Sequence, residues 1–125
     1  MKILSSILSL LGICAVAPYT NLNVDEFVRL ISNKGVVILD VRTKEEFAEG
    51  HIEKAINIDV NSPDFIKQVS ALKIKKGASI AVYCRSGRRS ANACETLSKE
   101  GFMCLSNLND GILGWIKAGK PVVKH

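Results

Sequence analysis

One cysteine of the chain lies in a segment rich in arginine, serine and glycine, Tyr83-Cys84-Arg85-Ser86-Gly87-Arg88-Arg89-Ser90. A cysteine thiol acts as a nucleophile once it ionises, and nearby cations or a helix N-terminus lower its pKa. Gly87 permits a tight turn, and the N–H groups of a loop that curls into a helix can converge on an anion. The segment therefore predicts an anion-binding pocket with the Cys84 thiolate at its entrance.

The alternative interpretation is a buried structural cysteine on an ordinary strand–helix loop. Burial in apolar surroundings would raise the pKa of the thiol and leave it inert. The arginines that follow the cysteine do not fit that alternative, because they predict a strongly positive environment. We expect a ligand to be bound by the residues after the cysteine, namely Arg85, Ser86, Gly87, Arg88, Arg89 and Ser90.

The elements that hold this segment follow from the hydrophobic pattern. Residues 36–39 are a continuous aliphatic run, as in a strand buried on both faces, and residues 79–83 are a second run that ends at the cysteine. Asn23 and Thr43 are each followed three positions later by glutamate, which is the pattern of a capping box at a helix start. Shorter strands are predicted at 55–58 and 102–105, helices at 23–34, 43–49, 62–72, 90–99 and 111–118, and an extended piece at 121–123.

The alternation of strands and helices predicts an α/β domain. Its central sheet is expected to be mainly parallel, with about four to five strands, and to be flanked by helices. Ligands bind such sheets at the carboxyl ends of the strands, where Cys84, Asp40 and Arg42 are expected. A chain of 125 residues, 47% hydrophobic and 23% charged, fits one globular domain and excludes a disordered chain or a coiled coil.

Several classes of function find no support in the sequence. The formal charge of +5 agrees with anionic partners in general, but no basic stripe with interleaved aromatic residues predicts nucleic-acid binding. No pair of cysteines has metal-ligand spacing and the two histidines are far apart, so we expect no metal site. Cys94 and Cys104 lie in apolar patterns and are expected in the core.

The segment at Cys84 resembles the active-site loop of the rhodanese-type sulfurtransferases, whose small single-domain members carry Cys-Arg-Ser-Gly-x-Arg-Ser. The resemblance extends over nearly all of residues 20–123 and implies the three-layer rhodanese-like fold. The last motif has Asp110 in place of the family's first glycine, a change expected to lie away from the catalytic loop. The other matching segments are Leu39-Asp40-Val41-Arg42, Glu45-Glu46-Phe47, Gly50-His51-Ile52, Ala55-Ile56-Asn57-Ile58 and Asn109-Asp110-Gly111-Ile112-Leu113-Gly114-Trp115.

The resemblance implies a sulfurtransferase that works through a persulfide on Cys84. The partners it implies are a small anionic sulfur donor such as thiosulfate and a nucleophilic acceptor, either cyanide or a thiol. It implies no metal and no organic cofactor. Asp40 and Arg42 are expected to support the site by ion pairing, and the domain is expected to be a monomer.

Two alternatives remain open. Related folds occur in phosphatases and arsenate reductases that carry His-Cys-x5-Arg, whereas here Tyr83 precedes Cys84 and four residues separate Cys84 from Arg89. The loop is one residue shorter, which favours a sulfur atom over a tetrahedral phosphate. A non-catalytic binding module or a persulfide carrier is the other alternative. Some rhodanese-like binding modules lack the cysteine, so the presence of Cys84 argues against a purely binding role.

The first 17 residues have the pattern of a secretory signal peptide. Lys2 is the only charge, an apolar run follows, and Ala15-Val16-Ala17 is typical of a cleavage site. The run is short for a membrane span, so no stable span is expected after cleavage. We therefore expect an exported, periplasmic protein whose residues 18–125 form a single domain; a retained membrane anchor or a cytoplasmic protein is the alternative.

Overall fold

A computed structural model describes residues 17–125. Five strands form one sheet in the order β1-β5-β4-β2-β3, and every neighbouring pair is parallel. The predicted α/β fold with a mainly parallel sheet is thus confirmed. The strands are β1 (Thr20–Leu22), β2 (Val37–Asp40), β3 (Ile56–Asn57), β4 (Ser79–Tyr83) and β5 (Cys104–Leu108); the helices are α1 (Val24–Ile31), α2 (Lys44–Glu49), α3 (Phe65–Ala71), α4 (Arg88–Lys99) and α5 (Gly111–Lys117).

The two faces of the sheet carry separate cores because successive side chains of a strand point to opposite sides. In β4, Ile80 and Val82 pack on one face with residues of α3 and α4, such as Val69 and Leu97. Ala81 and Tyr83 pack on the other face, with residues of α1 and α5. The fold therefore has three layers, and the central strand β4 leads from the middle of the core into the loop at Cys84.

Two helices begin as the sequence predicts. The side chain of Asn23 accepts a hydrogen bond from the Glu26 N–H, and the Glu26 carboxylate accepts one from the Asn23 N–H. Thr43 and Glu46 make the same reciprocal pair at the start of α2. Each box satisfies N–H groups that have no partner within the helix, and this fixes where α1 and α2 begin.

The sheet differs from the prediction at its edges. β1 was not expected, because three residues give no periodic signal and their pairing with β5 is distant in sequence. β5 extends to Leu108 rather than ending at 105, since the polar residues Ser106 and Asn107 also pair with β4. The extended C-terminal piece forms an antiparallel bridge between Val123 and His51.

The signal-peptide hypothesis concerns residues that lie, apart from residue 17, outside the described part of the chain. Within residues 17–125, none of the helices has the length and apolar character needed to span a bilayer.

Candidate functional site

Cys84 directly follows β4 and begins a short loop that ends where α4 starts at Arg88. Gly87, the last residue of the loop, has a φ of 96°, a conformation that side chains with a Cβ rarely adopt. A Cβ at this position would also overlap the carbonyl oxygen of Asn109. Glycine is therefore required at 87 for both backbone conformation and space, as the tight turn predicted from the sequence demands.

The loop surrounds the sulfur of Cys84 with hydrogen-bond donors. The Gly87 N–H donates to Sγ over 3.2 Å, and the Ser90 hydroxyl donates to Sγ over 3.3 Å. Burial acts to raise the pKa of the thiol, but the Ser90 hydroxyl and the N–H groups of Ser90, Ser86 and Gly87 together lower it below its ordinary value. The loop thus stabilises a thiolate.

Cys84 lies deeper below the protein surface than the sequence predicts. The sequence predicts a thiol at the entrance of a pocket, whereas the residue is 1% exposed and packs with the core beneath the loop. Its neighbours Arg85 and Ser86 are exposed. The sulfur is therefore buried among polar donors on its loop side, and a reactant must reach it through the loop surface.

The arginines of the loop have different surroundings. Arg85 and Arg88 are exposed, and neither takes part in an ion pair among residues 17–125. Arg89 instead donates to both carboxylate oxygens of Glu46, over 2.8 and 2.9 Å. Hydrogen bonding to Arg89 lowers the pKa of Glu46 from its ordinary value to about 2. Two of the cations are thus available to an incoming anion, while Arg89 fastens α4 to α2.

Glu46→Gln is expected to reveal this ion pair in the pH dependence of stability. The pKa of Glu46 is lower in the folded chain, so the pair contributes fully above pH ~4.5 and is lost as the pH falls towards 2. The variant should be less stable than wild type by up to about 1 kcal/mol at pH 6, with the gap closing at lower pH. Urea unfolding at pH 6, 4 and 2 measures it; a gap as large at pH 2 as at pH 6 would contradict the assignment.

A second ion pair lies at the end of β2, as predicted. Arg42 Nη2 donates to Asp40 over 2.7 Å and to the Gly50 carbonyl over 2.8 Å, and both charged side chains are almost fully buried. Tyr83 lies beside this pair; burial, followed by the charge of Asp40, raises the pKa of its hydroxyl. The pair joins β2 to the turn after α2 and so supports the edge of the sheet next to the loop.

The motif that begins at Asn109 touches the loop through residues on either side of Asp110, the position that was expected to lie away from it. The Ile112 N–H donates to the Cys84 carbonyl over 2.9 Å, and the Leu113 N–H donates to the Arg85 carbonyl over 3.2 Å. A Cβ on Gly111 would overlap the carbonyl of Arg85. The contact could not be predicted from the sequence, because the whole of α4 and β5 separates the loop from α5 along the chain. In the fold the motif packs directly against the backbone of the loop.

Two further predictions concern Cys94 and metal binding. Cys94 is fully buried in α4, and burial, together with the charge of Cys84, raises the pKa of its thiol to about 12. The expected core role is confirmed. Cys104, which was also expected in the core, is only half-buried; it begins β5, before the residues of that strand that pair with β1. Among residues 17–125, no three His, Cys, Asp or Glu side chains come together as metal ligands would.

The fold and the loop define a class of protein, the parallel α/β domains that present an ionisable cysteine at the carboxyl edge of the sheet. Within that class the sequence profile described as the Rhodanese-like domain matches residues 23–118. The chain belongs to this family.

Curated relatives agree with this assignment. The chain is 35% identical over 95 residues to a sulfurtransferase of Allochromatium vinosum, with 76% of this chain and 85% of that protein covered. It is 38% identical over 92 residues to thiosulfate sulfurtransferase 16, chloroplastic, of Arabidopsis thaliana, covering 66% and 76%. It is also 40% identical over 90 residues to the mitochondrial protein HIGH ARSENIC CONTENT 1 of Arabidopsis thaliana, covering 65% of this chain but only about half, 53%, of that protein.

A solved structure supports the fold. The crystal structure of a rhodanese-related protein from Thermoplasma volcanium superposes with a TM-score of 0.73 at 32% identity, covering 86% of this chain and all of that one. The three-layer rhodanese-like fold predicted from the motifs is therefore confirmed.

Proposed function

We propose that the protein is a sulfurtransferase that moves a sulfane sulfur from an anionic donor, thiosulfate, to a thiol or cyanide through a persulfide on Cys84. The observation that carries the proposal is the set of donors around one sulfur atom, the Ser90 hydroxyl and the N–H groups of the loop. Donors aimed at sulfur stabilise a negative charge there both before and after the transfer. The names of the relatives support the same chemistry.

In the first step the Cys84 thiolate attacks the outer sulfur of thiosulfate. A bond forms between the two sulfurs, the bond between the sulfurs of thiosulfate breaks, and sulfite leaves with its electron pair. Thiosulfate is a dianion, so the exposed Arg85 and Arg88 attract it to the loop. The outer sulfur then carries the negative charge of the persulfide within reach of the loop.

In the second step an acceptor thiolate or cyanide attacks the outer sulfur of the persulfide. The sulfur–sulfur bond breaks and its electron pair returns to Cys84, which regenerates the thiolate. The donors that lower the pKa of Cys84 also make it a better leaving group, because they stabilise the thiolate. The cycle balances without an oxidant or a cofactor.

The size of the loop argues against phosphate or arsenate as the substrate. The N–H groups of Ser86, Gly87 and Ser90 already converge on Sγ, whereas a phosphate or arsenate held within the loop needs donors directed at its own oxygens. Thiosulfate is also tetrahedral, but it needs to bring only its outer sulfur to Sγ. Arg89 is bound to Glu46 and is not free to grip such an anion. The persulfide requires space for only one further atom.

We also propose that residues 18–125 act as one exported domain, in the periplasm. The basis is the pattern of residues 1–17, in which a single basic residue, Lys2, precedes an apolar run that ends in Ala15-Val16-Ala17. Mass spectrometry of the protein isolated from its host tests this, with a mature N-terminus at residue 18 as the expected result. An intact N-terminal methionine would contradict export with cleavage.

Incubation of the full chain with thiosulfate tests the proposed function. Intact-mass spectrometry should show a gain of about 32 Da for one added sulfur, localised to Cys84 by peptide analysis and removed by cyanide as thiocyanate. Parallel assays with arsenate plus a thiol, and with a phosphate monoester, should show no turnover. Absence of the mass gain, or faster turnover of arsenate or of the ester, would overturn the proposal.

A further inference from the structure

A buried amide side chain lies directly behind the loop. Asn107, on β5, is 1% exposed. Its Nδ2 donates to the carbonyl of Gly87 over 3.2 Å and to Oδ1 of Asn21, on β1, over 3.0 Å. Its own Oδ1 is buried and has no hydrogen-bond partner among the described residues. Asn107 thus links the edge strand β1 to the last residue of the loop.

The orientation of this amide follows from its neighbours. The Gly87 carbonyl can only accept a hydrogen bond, so Nδ2 must face it and Oδ1 must face away. A buried acceptor without a partner is unfavourable, and a leucine of similar size would avoid that cost. An amide at this position is therefore poorly explained by packing and better explained by its contact with Gly87.

A second contact holds the same glycine from the neighbouring turn. The Leu22 carbonyl accepts a hydrogen bond from the Asn109 N–H over 2.9 Å, and Asn109 packs tightly against Gly87. Gly87 in turn donates its N–H to Cys84 Sγ. The left-handed conformation of Gly87, which aims that N–H at sulfur, is thus fixed by groups on β1 and β5.

We propose that Asn107 is a positioning residue for Cys84. The Gly87 carbonyl also accepts a hydrogen bond from the Ala91 N–H of α4 over 3.2 Å. Asn107 adds a second donor from the sheet, and the two together fix the peptide between Gly87 and Arg88 and, through the backbone of Gly87, the direction of the N–H that stabilises the thiolate. Asn21 supports Asn107 from the exposed edge of the sheet. As a role in sulfur transfer this rests on the proposed function, although its effect on the thiol does not.

The test compares Asn107→Leu with wild type by the pH dependence of alkylation of Cys84 by iodoacetamide, followed by peptide mass spectrometry. The midpoint of the pH–rate profile should move up by about 0.5–1 unit, as expected for one weakened hydrogen bond. Below the midpoint this lowers the rate about three- to tenfold. Ser106→Ala is the matched control, since Ser106 is the preceding residue of β5 and points to the opposite face of the sheet.

A merely structural role would change the free energy of unfolding without moving the midpoint in the folded protein. An unmoved midpoint for Asn107→Leu, or an equal shift for Ser106→Ala, would therefore overturn the proposal. If Asn107→Leu does not fold, Asn21→Ala tests the same link from an exposed position and should shift the midpoint upward by a smaller amount; no shift there would also overturn it. The profile needs no sulfur donor, so failure of thiosulfate to load Cys84 would refute the proposed function alone.

Discussion

Cys84→Ser is expected to lower the rate of sulfur transfer from thiosulfate to cyanide at least on the order of 10³-fold. A serine hydroxyl remains protonated at neutral pH, and an oxygen at this position cannot carry the transferred sulfur as a persulfide. The variant should also gain no sulfur mass after treatment with thiosulfate. Thiocyanate formation and intact mass, measured on the same preparations, check both expectations.

Cys94→Ala is the matched control for this variant. Cys94 is the other free cysteine among the described residues, and it is buried in α4, where its pKa is raised to about 12. The control should retain activity within about threefold, because only a small core side chain is lost. Comparable losses in the two variants would show that the effect of Cys84→Ser comes from the fold and not from the thiol.

Arg42→Met is expected to lower the free energy of unfolding by about 3–5 kcal/mol. The variant leaves the carboxylate of Asp40 fully buried without its cation, and an uncompensated buried charge is strongly unfavourable. The hydrogen bond from Arg42 to the Gly50 carbonyl is lost as well. Urea unfolding at pH 7 measures the change.

Two comparisons separate the buried charge from the loss of packing. Arg89→Met breaks the pair with Glu46, whose two side chains are 28% and 24% exposed, and should cost no more than about 1 kcal/mol, because solvent partly screens that pair. Asp40→Asn combined with Arg42→Met should recover part of the stability lost in Arg42→Met, since no charge is then left unpaired. Equal losses for Arg42→Met and Arg89→Met would rule out the burial argument.

The features that the sequence predicted well are those specified by neighbouring residues. The capping boxes at Asn23 and Thr43 need only a glutamate three positions away, and both are present. The loop between β4 and α4 follows from an aliphatic run, a cysteine and a glycine in succession. These features can be predicted from the sequence because residues close together in the chain determine them, without tertiary contacts.

The features that the sequence did not reveal depend on residues far apart in the chain. The ion pair between Glu46 and Arg89 was not predicted, because the two residues are 43 positions apart in the chain. Asn107 and Asn21 are separated by 86 positions, and Asn107 lies between the strand predicted at 102–105 and the motif that begins at Asn109, where the sequence carried no signal. The depth of Cys84 was also missed, since burial beneath a loop is set by how β4 packs and not by the polar residues around the cysteine.

The interlocked backbones of Gly87 and Gly111 bear on how the selectivity of this domain could be changed. Gly87 abuts Asn109, and Gly111 abuts Arg85, so the two segments are in backbone contact on both sides. Lengthening the Cys84 loop to admit a bulkier oxyanion would drive it into the 109–111 turn unless that turn were redesigned simultaneously. A change of specificity therefore requires substitutions in both the Cys84 loop and the 109–111 turn. Single substitutions at the exposed Arg85, Ser86 or Arg88 would change how strongly anionic reactants are attracted but not the space around the Cys84 sulfur.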